Sequence, residues 1–147
     1  MKKRFLPFFV LIFFSLAHAE VKVPSVKRAP KIGPNTKINF DFTKMNYNMA
    51  TGIVFDMMID PETYKNKTAK IKGQFTTEVH EGNRMFAVIV WDSGGCCPTG
   101  LGIVPLEEKK YPDDFPKEGS EVTVTGTLEI LNIYGADALC LVAEIWN

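Results

Sequence analysis

The spacing of apolar residues changes period once along the chain, and the change separates a helical segment from a run of strands. From Asn46 to Ile59 the apolar positions Met49, Ala50, Ile53, Val54, Phe55, Met57 and Met58 recur at steps of three and four, which predicts one short α-helix. Asn46 or Asn48 can cap its start, Asp60-Pro61 stops it, and Gly52 is a weak point inside it. Apolar residues occupy most of its circumference, so the helix is expected to be largely buried, lying across the open end of whatever the strands build.

After Pro61 the pattern alternates. Thr68 to Val79 sets Ile71, Gly73 and Phe75 on one side and Lys70, Lys72 and Gln74 on the other, and Glu81-Gly82-Asn83 turns the chain into a second strand, Met85 to Trp91. Leu101 to Leu106 reads as a short third strand. Glu107 to Ser120 is a charged loop in which Pro112 and Pro116 argue against a helix. Glu121 to Leu131 alternates cleanly, with Val122, Val124, Gly126, Leu128 and Ile130 inward. A turn over Asn132 to Asp137 leads to a last strand, Ala138 to Trp146. Five strands, with Gly73 and Gly126 inside the first and fourth where sharp coiling is needed, predict a mainly β fold: a five-stranded OB-like barrel with one N-terminal helix packed against it, an open β-sandwich being the alternative.

The N-terminus changes the setting. Lys2, Lys3 and Arg4, an apolar stretch of 12 residues from Phe5 to Leu16, and Ala17-His18-Ala19 have the form of a cleavable signal peptide over residues 1–19. The stretch contains Pro7 and falls short of the roughly 20 residues of a spanning helix, so no transmembrane anchor is expected after cleavage. An exported product, periplasmic or secreted, follows. Cleavage removes three of the 17 Lys+Arg and none of the 17 Asp+Glu, leaving 14 against 17 and a net charge of −3, the wrong sign for a sequence-independent nucleic-acid binder. It also leaves His80 as the only histidine, which excludes catalysis by a pair of histidines. Residues 20–37, with Pro24, Pro30, Gly33 and Pro34 among five basic residues, read as a flexible basic arm before an OB-like domain over 38–147.

A resemblance rests on Asp41-Phe-Thr-Lys-Met-Asn46, on Phe55-Asp-Met-Met58, on Pro61-Glu-Thr-Tyr64-Lys-Asn-Lys67-Thr-Ala-Lys-Ile-Lys-Gly73, and on Trp91-Asp92 followed by Cys96-Cys97-Pro98-Thr99-Gly100-Leu101. In these residues the chain resembles a group of small exported bacterial proteins of uncharacterised function, with a Cys-Cys-x-x-Gly turn, that are themselves similar to OB-fold domains. It covers about Asp41 to Val104 and, more loosely, the last strands. Asn66 stands where the group's pattern has Gly, and Gly102 where it has an acidic or aromatic residue. The resemblance implies a fold and a site at the cysteine turn rather than an activity.

Adjacent cysteines in an exported chain must be bridged, metal-bound or free, because an oxidising compartment acts on every thiol. Three chemistries are open. A disulfide could join Cys140 to one of the pair, Cys97 with Cys140 being the pairing considered, leaving one odd thiol. Cys96 and Cys97 could instead hold Zn or Cu as thiolates, with Asp92, Cys140 or His80 completing the shell. The pair could also close on itself as a strained, easily reduced ring. The methionines of the helix, with Met45 and Met85, are possible soft ligands for Cu(I) as well as core fillers. Phosphate-loop, Gly-x-Ser-x-Gly and His-Glu-x-x-His signatures are missing, and Asp113-Asp114 and Glu107-Glu108 read as solvated loop charge. The expectation is therefore a non-catalytic binding or accessory module. Its partner would be a metal ion at Cys96-Cys97 or an envelope protein, with a thiol-redox protein or a structural interaction module as alternatives.

Overall fold

The computed structural model describes residues 25–26 and 29–146, with side chains described as far as residue 143. The segments that the sequence predicts as a signal peptide (1–19) and as the start of a basic arm, and the side chain of Trp146, lie outside the described residues. The elements run β1 (Phe40–Asp41), a 3-10 turn (Phe42–Lys44), α1 (Tyr47–Ile59), α2 (Pro61–Tyr64), β2 (Thr68–His80), β3 (Asn83–Val90), β4 (Thr99–Pro105), β5 (Glu121–Ile133) and β6 (Ala136–Trp146). The chain is thus mainly β, with few helices and one six-stranded sheet in the order β1-β2-β3-β4-β6-β5.

β2 is long enough to serve two partners. Its first half, Thr68 to Gln74, pairs antiparallel with Thr127 to Glu121 of β5, and its second half, Gln74 to His80, with Ile89 to Asn83 of β3. β4 and β6 run parallel, Gly102 opposite Cys140, so the hydrogen-bonded ladder passes from β2 through β3, β4, β6 and β5 and returns to β2. Glycine makes the hand-over possible. A β-carbon at Gly73 would sit 2.3 Å from the Ile89 carbonyl oxygen, and one at Gly126, beside a bulge at Thr125, would sit 2.3 Å from the Val142 carbonyl oxygen.

Alternation fills the inside of this sheet. Ile71, Phe75, Val88, Leu101, Val124 and Leu141 are fully or almost fully buried, in the positions that the period-two pattern points inward. The loop between β4 and β5 closes over part of the core. Its Phe115 ring stacks 4.2 Å from Phe86, and Tyr111 lies beneath the Arg84 guanidinium at 4.0 Å. The charged composition of that loop hid these two aromatic anchors.

α1 begins where the Asn46 side chain accepts a hydrogen bond from the Met49 N–H at 2.9 Å, satisfying one of the orphan donors of the first turn. Pro61 stops it by starting a separate turn, α2, whose Tyr64 hydroxyl donates to Asp56 of α1. The helix is less buried than its composition suggests. Ala50, Val54 and Met57 enter the core, whereas Tyr47, Met49, Phe55, Met58 and Ile59 are 53–66% exposed. The reason is that α1 rests on the sheet along one narrow stripe, and nothing among the described residues covers its other side.

The segment before β1 is tied at separate points. The Val26 N–H donates to the Pro105 carbonyl at 3.0 Å, and Asn39 and Thr68 exchange hydrogen bonds between backbone and side chain ahead of the β1–β2 pairing. Among the described residues no helix is long and apolar enough to cross a membrane.

Candidate metal centre

The chain leaves β3 at Val90 and re-enters the sheet at Thr99, and the eight residues between form the turn that carries the cysteines. Asp92 organises it. Its backbone carbonyl accepts from the Gly95 N–H at 3.0 Å, closing a tight turn in which Gly95 adopts φ +66°, the left-handed region that glycine enters at no steric cost. Its side-chain Oδ1 then accepts from the N–H groups of Cys96, at 3.0 Å, and Cys97, at 3.4 Å. A short acid at this position folds the following backbone around itself, as aspartate commonly does in turns.

The same folding brings the sulfurs to the carboxylate. Cys96 Sγ lies 3.5 Å from Asp92 Oδ2 and 3.5 Å from Cys97 Sγ, and the three ligand atoms all fall within 4.8 Å of one another. Cys96 and Cys97 are exposed and Asp92 is half-buried, so the cluster opens to solvent. Among the described residues it is the one such group of three or more His, Cys, Asp or Glu.

The electrostatics of the cluster shift its acid and its thiol in opposite directions. Desolvation by itself raises the Asp92 pKa, but the N–H groups of Cys96 and Cys97, the Cys96 thiol and the Gly95 N–H outweigh it and hold the carboxyl below its usual 3.8. Cys96 shifts the other way. The Cys97 thiol, and after it the Asp92 carboxylate, push it above the usual 9.0, because a second negative charge beside a carboxylate is unfavourable. A metal ion would cancel that repulsion.

Three of the five residues offered by the sequence for this shell therefore meet, and Cys140 and His80 stand apart. It is buried on β6 opposite Gly102, in a register four residues into β4, and is outside the Asp92 cluster. All three cysteines are free thiols, so no Cys97–Cys140 bridge is formed. Burial pushes the Cys140 thiol up to about 11. His80, at the end of β2, is exposed and packs edge-on against Tyr134 with ring centroids 5.5 Å apart, and it too is outside the cluster. Of the methionines, Met57 is fully buried as core filling, and Met45 packs on the core from its edge.

One residue at the site was not singled out as functional from sequence. Asn48, in the first turn of α1, accepts from the Ser93 hydroxyl at 3.0 Å and the Ser93 N–H at 3.4 Å, and so anchors the cysteine turn to the helix. In sequence it competed with Asn46 as a helix cap. The structure gives the cap to Asn46 and the turn to Asn48. Beside the cluster, a groove of about 510 Å³ runs from Asp92 past Trp91 to Met45 and Tyr47, with Lys72 and Glu121 paired at 2.8 Å on its far wall.

No protein-family model matches the chain, and no curated protein is similar to it by sequence.

Proposed function

We propose that this protein is an exported, non-catalytic accessory module that binds a thiophilic metal ion, Zn(II) or Cu(I), through Asp92, Cys96 and Cys97. The observation that carries this reading is the convergence of two thiols and an ionised carboxylate within 4.8 Å at an exposed turn. With Zn–S bonds of about 2.3 Å, the 3.5 Å between sulfurs closes an S–Zn–S angle of about 99°, within reach of a tetrahedral site after a small relaxation. Three protein ligands leave a coordination position facing solvent. An open position suits an ion that is received and passed on better than one locked in as structural glue, since structural zinc sites have four protein ligands.

Export is supported by the signal-like sequence of residues 1–19. An OB-type closure of the sheet is supported by the return pairing of β2 with β5, the parallel contact of β4 with β6, and the two glycines that allow β2 and β5 to coil. In that arrangement the cysteine turn joins the second and third barrel strands, and α1 braces it through Asn48.

The test is metal analysis of native protein purified from its own compartment, beside intact mass with and without alkylation. About one Zn or Cu per chain is expected, lost in Cys96→Ser and Cys97→Ser and retained in Cys140→Ser. Metal-free protein with Cys140 bridged to Cys96 or Cys97 would sink this reading. A second reading, thiol–disulfide chemistry, draws on the direct contact between the two sulfurs; a metal-free protein whose thiol titre rises under mild reductant would favour it.

A further inference from the structure

The hairpins β2–β3 and β5–β6 both end in two-residue turns, Glu81 (φ 49°) with Gly82 (φ 76°), and Tyr134 (φ 52°) with Gly135 (φ 86°). Positive φ at both central residues is the type I′ geometry, which matches the right-handed twist of the flanking strands. The tips then touch. His80 beside the first turn meets Tyr134 in the second, so the two hairpins form an arch.

A hollow of about 650 Å³ lies along the outer side of the sheet between these hairpins, within the range of small-molecule sites. Its floor includes Ala87, Ile89, Gly100, Gly102 and Cys140. The two glycines create the depth, for a β-carbon at Gly102 would stand 3.2 Å from Cys140 Sγ and one at Gly100 2.7 Å from Ile89 Cδ1. The walls are mostly apolar, with Met58, Met85 and Ile133 among them, and their charges have one sign. Among the described residues no Lys, Arg or His lines the hollow, while Glu78 stands on one hairpin and Asp137 on the other. Glu78 is exposed, and Asp137 is held by a hydrogen bond from Asn132 Nδ2 at 2.9 Å. Asp92, Cys96 and Cys97 do not line it, so it is separate from the candidate metal centre.

We propose that this hollow binds a small molecule with an apolar body and a positively charged group, the body lying over Gly100 and Gly102 and the charge facing Glu78 and Asp137. An anion of the same size would meet two carboxylates and, among the described residues, no cation. A hydrophilic cation would leave the apolar floor wet and gain little.

Titration calorimetry of the full-length protein tests this with octyltrimethylammonium, octyl sulfate and tetramethylammonium, each below any micelle-forming concentration. Octyltrimethylammonium is expected to bind saturably at one site, at least about tenfold more tightly than either of the others, since octyl sulfate would set its charge against two carboxylates and tetramethylammonium lacks the chain that covers the apolar floor. Glu78→Lys, at an exposed position, leaves one cation facing Asp137 and is expected to cut the preference for octyltrimethylammonium over octyl sulfate to less than about threefold. Glu118→Lys, which changes an equally exposed carboxylate outside the hollow, is expected to leave it unchanged. Equal affinity for the two octyl compounds, equal affinity for tetramethylammonium, no binding of any, or a Glu78→Lys protein that keeps the parent's preference overturns the proposal. Cys96→Ser/Cys97→Ser protein is expected to bind as the parent does, which separates this site from the metal reading.

Discussion

If Cys96 and Cys97 hold an ion as thiolates, acid must weaken the site by an amount that follows from the proton count. A protonated thiol has to lose its proton before it binds, so each thiol ligand lowers the apparent association constant about tenfold for every pH unit below its pKa. Cys96 lies above the usual 9.0, and Asp92 is already ionised, held below 3.8 by the turn's N–H groups. Between pH 6 and 7.5 the carboxylate therefore contributes no pH dependence and the two thiols contribute all of it. The expected rise is about 100-fold per unit, or about 10³-fold over that range. Competition against a chromophoric chelator of known protonation, with fully reduced protein under argon, measures the slope. Calorimetry in buffers of different ionisation enthalpy should return about two protons released per ion. Cys97→Ser, too weak to keep the ion through purification, is expected to show in competition a residual affinity whose slope is only about tenfold per unit, whereas Asp92→Asn should lower affinity by at least about tenfold and leave the slope intact. An affinity flat with pH, or a slope that Cys97→Ser does not change, refutes thiolate ligation at this turn.

Cys140 gives a second titration, seen in stability. Its folded pKa of about 11 lies above the usual 9.0, so the folded chain keeps a proton that the unfolded chain loses. Stability from this group is fully present below about pH 9 and falls by roughly 2–3 kcal/mol as the pH rises through 11; urea midpoints across that range should show a loss that Cys140→Ala lacks. The helix seating is checked by a pair of truncations one residue apart. Met57→Ala, at a fully buried position, is expected to cost about 2–5 kcal/mol in urea unfolding, and Met58→Ala, 53% exposed, less than about 1. Equal costs would mean that α1 docks through a different stripe.

What sequence made legible was what local rules govern. Period-two alternation placed Ile71, Phe75, Val122 and Val124 inward, and the glycines at 73 and 126 marked the places where a neighbouring carbonyl comes too close for a side chain. The grouping of Asp92, Cys96 and Cys97 was legible for the same reason. Asp92, Cys96 and Cys97 lie within one turn, so a single Asx-like fold of the backbone brings them together without help from distant strands. Cys140 was illegible because its neighbour depends on the parallel register of β4 with β6, which no local pattern encodes: Gly102, rather than Cys97, lies opposite it. The burial of α1 failed on a related point. Composition says how much apolar surface a helix carries, and only packing says how much of it meets the core; here Ala50, Val54 and Met57 do, with Ile53 at the edge, and Phe55, Met58 and Ile59 stay exposed. Both features that sequence could not supply, the isolation of Cys140 and the hollow above it, come from strand neighbours far apart in the chain. A long-range register thus separates the buried thiol from the exposed pair, leaving Cys96 and Cys97 grouped with Asp92 alone.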